Sequence, residues 1–330
     1  MRRLLVIALL GVLVSGAGSS EQPAAPLRLI QAIPLDGVEG RIDHMDVDPQ
    51  GQRLFIAALG NGTVEVLDLR AGRRVQSLRG FHEPQGLGFV ASPSRLFVAN
   101  GGDGTCDMLD GATFAHLRTL RFSEDADNIR CDASTGRTYV GYGSGALGVL
   151  DAASGDSLGS IPFSAHPEAF QLEANGPRAF VNIPDAGEVA VLDLKKARLL
   201  TTWKLAGYGA NYPMALDEPG HRLFIGCRRP ATVLVLDTGS GQRLSAVPID
   251  GDPDDLFYDS ATRQLFVSCG AGFIDVLRTA AYGQFTKVAQ TVTAPGARTA
   301  LYVPTLRRLF LAVPHHGSQR AETRVYEAVR

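Results

Sequence analysis

Apolar residues along this chain come in short runs separated by turn residues, and the runs repeat. Each repeat opens on an Arg or Gln two positions before an aromatic: Phe55, Phe97, Tyr139, Phe180, Phe224, Phe266 and Phe310, with gaps of 42, 42, 41, 44, 42 and 44 residues. An apolar anchor eight residues before each Arg or Gln keeps the same spacing: Met45, Leu87, Ile129, Phe170, Met214, Leu256 and Ala300. Within one repeat, Met45–Asp48 alternates apolar and polar positions, the pattern of a half-buried strand. Arg53–Ala58 is nearly all apolar and reads as a strand covered on both faces, Thr63–Asp68 as a third strand, and Arg74–Leu78 as a fourth. Several short strands per unit at a period near 42 predict blades of a β-propeller, seven of them.

The strand count also predicts how the ring closes. Fourth strands begin near Arg74, His116, Ser157, Arg198, Arg243 and Lys287, whereas the seventh repeat ends after its third strand, Thr323–Ala328. The N-terminal run Leu27–Pro34, LRLIQAIP, resembles the fourth strands SLGSIPF and RLSAVPI. It is expected to complete the last blade and remove the open edge. Stacked units share one core, so residues 27–330 are expected to form one domain.

Ahead of the repeats, Arg2 and Arg3 precede an apolar stretch, Leu4–Val14, and the small residues Ser15-Gly16-Ala17. That order is expected of a signal peptide over residues 1–17, with a linker at 18–26. The stretch is too short to span a bilayer, which takes roughly 20 residues, and no later run is long enough. A periplasmic or secreted protein is therefore expected. Net charge is −2, and loss of the leader with its two arginines would make it −4. There is no basic footprint for nucleic acid, and a monomer is expected.

Cys106 occupies a slot that holds Val64, Val189 and Val233 elsewhere, and Cys131 matches Val47 and Leu172, so both read as small core residues. Cys227 and Cys269 end equivalent strands of adjacent blades. Equivalent points on neighbouring blades usually lie too far apart for a disulfide, but the sequence leaves their pairing open. Acids recur in the turns at Asp48, Asp132, Glu173, Asp217 and Asp259, and again at Asp68, Asp110, Asp151, Asp193 and Asp237. Their repetition marks them as turn formers.

The stretch Phe97-Val98-Ala99-Asn100, the Gly-rich turns after it and the repeated Val-Leu-Asp strand endings resemble YVTN-type propeller repeats. More narrowly, residues 27–330 resemble the YncE-like exported propellers of bacteria. The resemblance implies the fold. Related seven-bladed propellers include both lactonase-like enzymes and interaction scaffolds, so function must be argued from a site.

The informative residues are those the repeat does not require. Two positions before each anchor stand Asp43, Gln85, Asp127, Glu168, Tyr212, Asp254 and Arg298, all capable of hydrogen bonding. They fall where one blade hands over to the innermost strand of the next, hence around one mouth of the central channel. The adjacent slot adds His44, Asn128, Asp255 and Thr299, with His166 and Asp252 slightly earlier. The longer blade-seven loop, containing His315 and His316, opens on the same face.

Two constellations are expected. One spans blades seven and one, with Asp43, His44, Arg298, His315 and His316, and with Asp254 and Asp255 one blade further round. The other joins blades three and four through Asp127, Asn128, His166 and Glu168. A solvated mouth would be polar without any ligand. A binding site for a small ligand or a protein partner is the functional reading, with Arg298 available to an anion. No cofactor is expected beyond a possible divalent metal, for which Asp127, Glu168 and His315 are the candidate ligands. The alternative is a lactonase-like hydrolase, with His44 or His315 as base and Arg298 as electrophilic stabiliser. The chain has no H-E-x-x-H and no Walker-type loop.

Overall fold

The computed structural model describes residues 25–280 and 284–329. The expected leader, 1–17, and residues 18–24 of the expected linker lie outside the described residues. The fold is a seven-bladed β-propeller of four-stranded antiparallel blades. Blade one comprises β2 (Met45–Asp48), β3 (Arg53–Ala58), β4 (Thr63–Asp68) and β5 (Arg73–Arg79). Blade two follows with β6 (Pro84–Ala91), β7 (Ser94–Asn100), β8 (Thr105–Asp110) and β9 (His116–Arg121), and blade three with β10 (Ala126–Asp132), β11 (Arg137–Tyr142), β12 (Ala146–Asp151) and β13 (Ser157–Pro162). Blade four is β14 (Phe170–Leu172), β15 (Arg178–Ile183), β16 (Glu188–Asp193) and β17 (Arg198–Lys204). Blade five is β18 (Gly209–Asp217), β19 (Arg222–Arg229), β20 (Ala231–Asp237) and β21 (Arg243–Pro248). Blade six is β22 (Pro253–Asp259), β23 (Gln264–Cys269), β24 (Phe273–Thr279) and β25 (Phe285–Val292). Blade seven takes β26 (Ala300–Val303), β27 (Arg308–Val313) and β28 (Glu322–Ala328) from the C-terminus and β1 (Leu27–Pro34) from the N-terminus. No helix among the described residues is long and apolar enough to cross a membrane.

The second strand of every blade is covered on both faces, which is why it reads as a continuous apolar run. Its aromatic, from Phe55 round to Phe310, is fully buried in all seven blades. Cores form between blades rather than within them. Phe224, Val233 and Val235 of blade five, for example, pack with Leu256, Leu265 and Val267 of blade six. At the closure, Ile33 and Leu35 join Leu54 and Ile56 of blade one and Phe310 and Val325 of blade seven.

The repeated acids hold turns. Asp48 pairs with Arg53, Glu173 with Arg178 and Asp217 with Arg222 across the first hairpin of their blades. Asp68, Asp110, Asp151 and Asp237 each accept two successive backbone N–H groups after the third strand. All four cysteines are free; Cys106 and Cys131 share one core cluster.

Two ladder irregularities recur. The outermost strand of each blade carries one extra residue opposite its neighbour: Ile30, Val75, Leu117, Leu158, Leu200, Leu244 and Val288. Each is aliphatic, and each is 42–53% exposed. The second irregularity lies where the innermost strand begins. There two residues oppose one in blades one to five, the pairs being Asp43-His44, Gln85-Gly86, Asp127-Asn128, Glu168-Ala169 and Tyr212-Pro213, while Asp254 is the extra residue of blade six. A β-bulge frees a residue from ladder pairing and re-aims its side chain. In six blades that residue is the polar one two positions before the anchor, and it is delivered to the channel.

Candidate functional site

These bulges build one mouth of the channel, a cavity of about 280 Å³ that contains Asp43, His44, Gln85, Asp127, Asn128, His166, Glu168, Tyr212, Asp254 and Arg298. Its lining is charged and polar almost throughout. Adjoining it is a second chamber of about 370 Å³, lined by Asp255 among others, with His44 and Asn128 bordering both.

One side is a closed quartet of charges. Arg228, at the end of β19, lies over the Tyr212 ring at 3.9 Å from its centroid. Its Nε is 3.1 Å from Asp252, and its terminal nitrogen donates to Asp254. Arg298 meets the same two carboxylates, with Nη1 2.9 Å from Asp252 and Nε 3.0 Å from Asp254. Burial outweighs both guanidinium groups and raises the Asp254 carboxyl above its ordinary value. Arg298 is therefore already engaged by two acids, and an anion would have to compete with them.

Between this quartet and the opposite wall stand Asp43 and His44. Asp43 is buried and bonded to Arg41. Burial pushes its carboxyl up to about 6, against the lowering pull of His44 and Arg41. His44 has Nε2 3.7 Å from Asp43 and Nδ1 3.7 Å from Asp255. Burial alone would lower the imidazole, but Asp43, then Asp255 and Asp127, overcome it and hold it up at about 10. The Asp255 carboxylate also accepts the Ala300 amide at 2.7 Å, tying blade six to blade seven.

The third group joins blades three and four. His166 Nδ1 lies 2.6 Å from the Gly143 carbonyl, and Nε2 is 3.9 Å from Asp127. Burial would lower this imidazole as well, but Asp127, the Gly143 carbonyl and Asp125 raise it to about 9. Asp127, whose burial would raise it, is kept below the ordinary carboxylate value by His166, His44 and Arg41. Burial, then the Asp127 charge, pushes Glu168 well above its ordinary value. Gln85 sits at the rim, donating to Asp125 at 2.8 Å.

Several polar atoms here have no hydrogen-bond partner among the described residues. They are Asp43 Oδ1, Asp127 Oδ1 and both side-chain atoms of Asn128, on residues 1%, 5% and 1% exposed. A buried polar atom left unpaired costs about 1–3 kcal/mol, so this concentration needs an explanation.

The structure thus brings the blade-three and blade-four constellation together but divides the other. Asp43, His44, Asp254, Asp255 and Arg298 line the channel, whereas His315 and His316 do not line the mouth cavity. His315 Nδ1 pairs with Glu39 at 2.8 Å, and exposed His316 exchanges backbone bonds with Gln319 in a tight turn. His315 is accordingly corrected as a metal candidate in company with Asp127 and Glu168. The physical reason is that a loop can open on a face without its side chains turning inward.

Arg41, Asp125 and Arg228 are lining residues that the repeat comparison passed over. Signals for them existed. Arg228 stands at a position occupied by Leu59, Gly101, Gly143, Pro184, Gly270 and Pro314 in the other blades. Arg41 and Asp125 lie two positions before Asp43 and Asp127, in the blade-to-blade connections just ahead of the polar slot. Asp125 and Asp252 have positive φ, as do Glu83, Ala210 and Gly296 at the equivalent position, so that conformation belongs to the blade-to-blade turn and is not peculiar to the mouth. Gly155-Asp156-Ser157-Leu158-Gly159 has the G-x-S-x-G spacing. Ser157 begins the exposed outer strand β13, away from both chambers, and Gly155 serves the same turn as Gly72 and Gly241.

No family model matches the chain, and no curated protein matches it by sequence. Solved structures do resemble it. The hydrazine synthase structure of Kuenenia stuttgartiensis aligns with a TM-score of 0.75 at 15% identity, covering 84% of this chain and 94% of that one. The WD40 repeats of RRP9 align at 0.78 and 12% identity, covering 93% and 98%. A chain of the mitotic checkpoint complex aligns at 0.73 and 15% identity, covering 100% and 99%. Likeness at this identity establishes a shared WD40-like propeller fold and nothing about chemistry.

Proposed function

We propose that this protein is an exported propeller of the YVTN-repeat, YncE-like kind that binds a small ligand or a protein partner at the polar mouth of its channel. The observation that carries the reading is the convergence of buried, unpartnered polar atoms from Asp43, Asp127 and Asn128 on one concave opening. Binding sites are concave and place a few polar groups for orientation. β-Propellers, including WD40-like ones, commonly mediate ligand or protein binding, which supports the class of function. The order Arg2-Arg3, Leu4–Val14, Ser15-Gly16-Ala17 supports export.

The hydrolase alternative is less well supported. An imidazole that serves as general base must be unprotonated at the working pH. His44, held up at about 10, keeps its proton near neutrality, and His315 faces Glu39 on the rim.

The test is a thermal-shift screen of the purified protein against small carboxylic acids, sugar acids and sugars, repeated on Asn128→Leu. A ligand present at 100 times its Kd stabilises a protein by about 2.7 kcal/mol. The expected result is at least one compound whose stabilisation disappears in the variant. Compounds that stabilise both proteins equally would place binding elsewhere and overturn the reading.

A further inference from the structure

Asp127, His166 and Glu168 each present one ligand atom, and these three atoms lie within 4.8 Å of one another. Asp127 is the first residue of the β10 bulge, Glu168 the first of the bulge ahead of β14, and His166 stands two residues before Glu168 in the same connection. Three acid or imidazole groups in proximity are not in themselves a site. Two further observations distinguish these.

The first is the orientation of His166. A carbonyl can only accept, so at 2.6 Å from Gly143 O the Nδ1 carries the hydrogen. In the neutral ring the lone pair is then on Nε2, the nitrogen turned toward Asp127. Metal-binding histidines are oriented in this way, with the far nitrogen donating to a carbonyl or carboxylate. His44 has no comparable anchor, since its nitrogens lie 3.7 Å from the Asp43 and Asp255 carboxylates, beyond hydrogen-bond distance. The second observation is that Asp127 Oδ1 and both side-chain atoms of the neighbouring Asn128 are buried without a partner.

We infer that Asp127, His166 and Glu168 form a binding site for one first-row divalent transition-metal ion, of the Zn²⁺ or Mn²⁺ class, at the channel mouth. The inference rests on the mouth being the binding face and names a cation as part of what it binds. One imidazole with two carboxylates suits these metals, whereas Mg²⁺ and Ca²⁺ favour all-oxygen sets. Bonds of roughly 2.0–2.2 Å require ligand atoms about 3.4 Å apart in a tetrahedral site, so the triad must draw in. Glu168, half-buried at the cavity wall, has the side-chain freedom to do so. Three protein ligands leave a position open to the cavity, where a small oxygen-bearing ligand would complete the coordination.

Calorimetric titration of the full chain with Zn²⁺ and with Mn²⁺ tests this, using wild type, His166→Gln, Glu168→Gln and, as a control at the rim, His315→Gln. Circular dichroism confirms that each is folded. The expected result is one ion per chain for wild type and for His315→Gln. Each triad variant should bind at least about 100-fold more weakly, since even the hydrogen-bond partners behind a ligand are worth 10–100-fold. Absence of stoichiometric binding, or binding unchanged in both triad variants, overturns the inference. If the metal fails while the compounds that sense Asn128→Leu persist, the cation alone is lost and the mouth remains the binding face.

Discussion

At the scale of single residues, the mouth stores charge in a way that pH should reveal. Folded His44 holds its proton up to about 10, against 6.5 for the free side chain. Its contribution to stability is therefore complete below 6.5 and disappears as the pH rises to 10. His166, raised to about 9, acts in the same direction. Asp43, raised from 3.8 to about 6, also binds its proton more tightly when folded, but its window closes near pH 6. Between pH 7 and 9 wild-type stability should fall, each imidazole adding a slope of up to about 1.4 kcal/mol per pH unit. Denaturant titrations of His44→Gln should show a shallower decline, and an identical slope would contradict the assignment. Asn128 makes a second prediction. Replacing it with Leu removes two unpartnered buried atoms, so the variant should be about 1–3 kcal/mol more stable while losing ligand response. The polar slot was legible in the sequence because seven anchors in register exposed it. The arginine partners were harder to see, because Arg228 enters from a different strand and only folding brings it onto Tyr212. The inward or outward turn of His315 depends on its contact with Glu39, some 276 positions away in the chain, and no local pattern encodes that.

Among the strands, the bulges decide where side chains point. Each outer strand spends one aliphatic residue as a bulge, which bends an edge that would otherwise be flat and ready to pair with another chain. Since that residue is half-exposed, Leu158→Thr should change stability by no more than about 0.5 kcal/mol. Deleting Leu158 is different in kind. Ser157 pairs with Leu150 and Gly159 with Val149 only because Leu158 is looped out. Closing the loop shifts the register by one and sends the strand's faces to the wrong sides. Thermal melts should show the deletion to be far more destabilising than the substitution; equal effects would refute the bulge's role. The alternation of the first strand and the apolar run of the second were readable in advance. The bulges were not, because an extra residue breaks the period of two that makes a strand visible.

For the whole molecule, closure and channel are one fact. The expectation that Leu27–Pro34 completes blade seven could be reached by counting strands, and β1 does pair with β28 along Leu27–Pro34. Leu27 and Ile33 are buried there, each worth about 1.5–3 kcal/mol. Removal of residues through Pro34 would expose the β28 edge, so a lower melting temperature and concentration-dependent association on light scattering are expected. A monomer with unchanged stability would contradict the closure. Because the ring is closed, six inner strands present their bulged residues to a single opening, and groups far apart in sequence become one site. The claim that this opening holds a divalent metal ion as part of what it binds is tested most directly by anomalous diffraction at the zinc edge from crystals soaked in Zn²⁺. The account predicts one strong peak within bonding distance of His166 Nε2 and the Asp127 and Glu168 carboxylates. Peaks confined to the rim, as at His315 and Glu39, with none at the mouth, would contradict it.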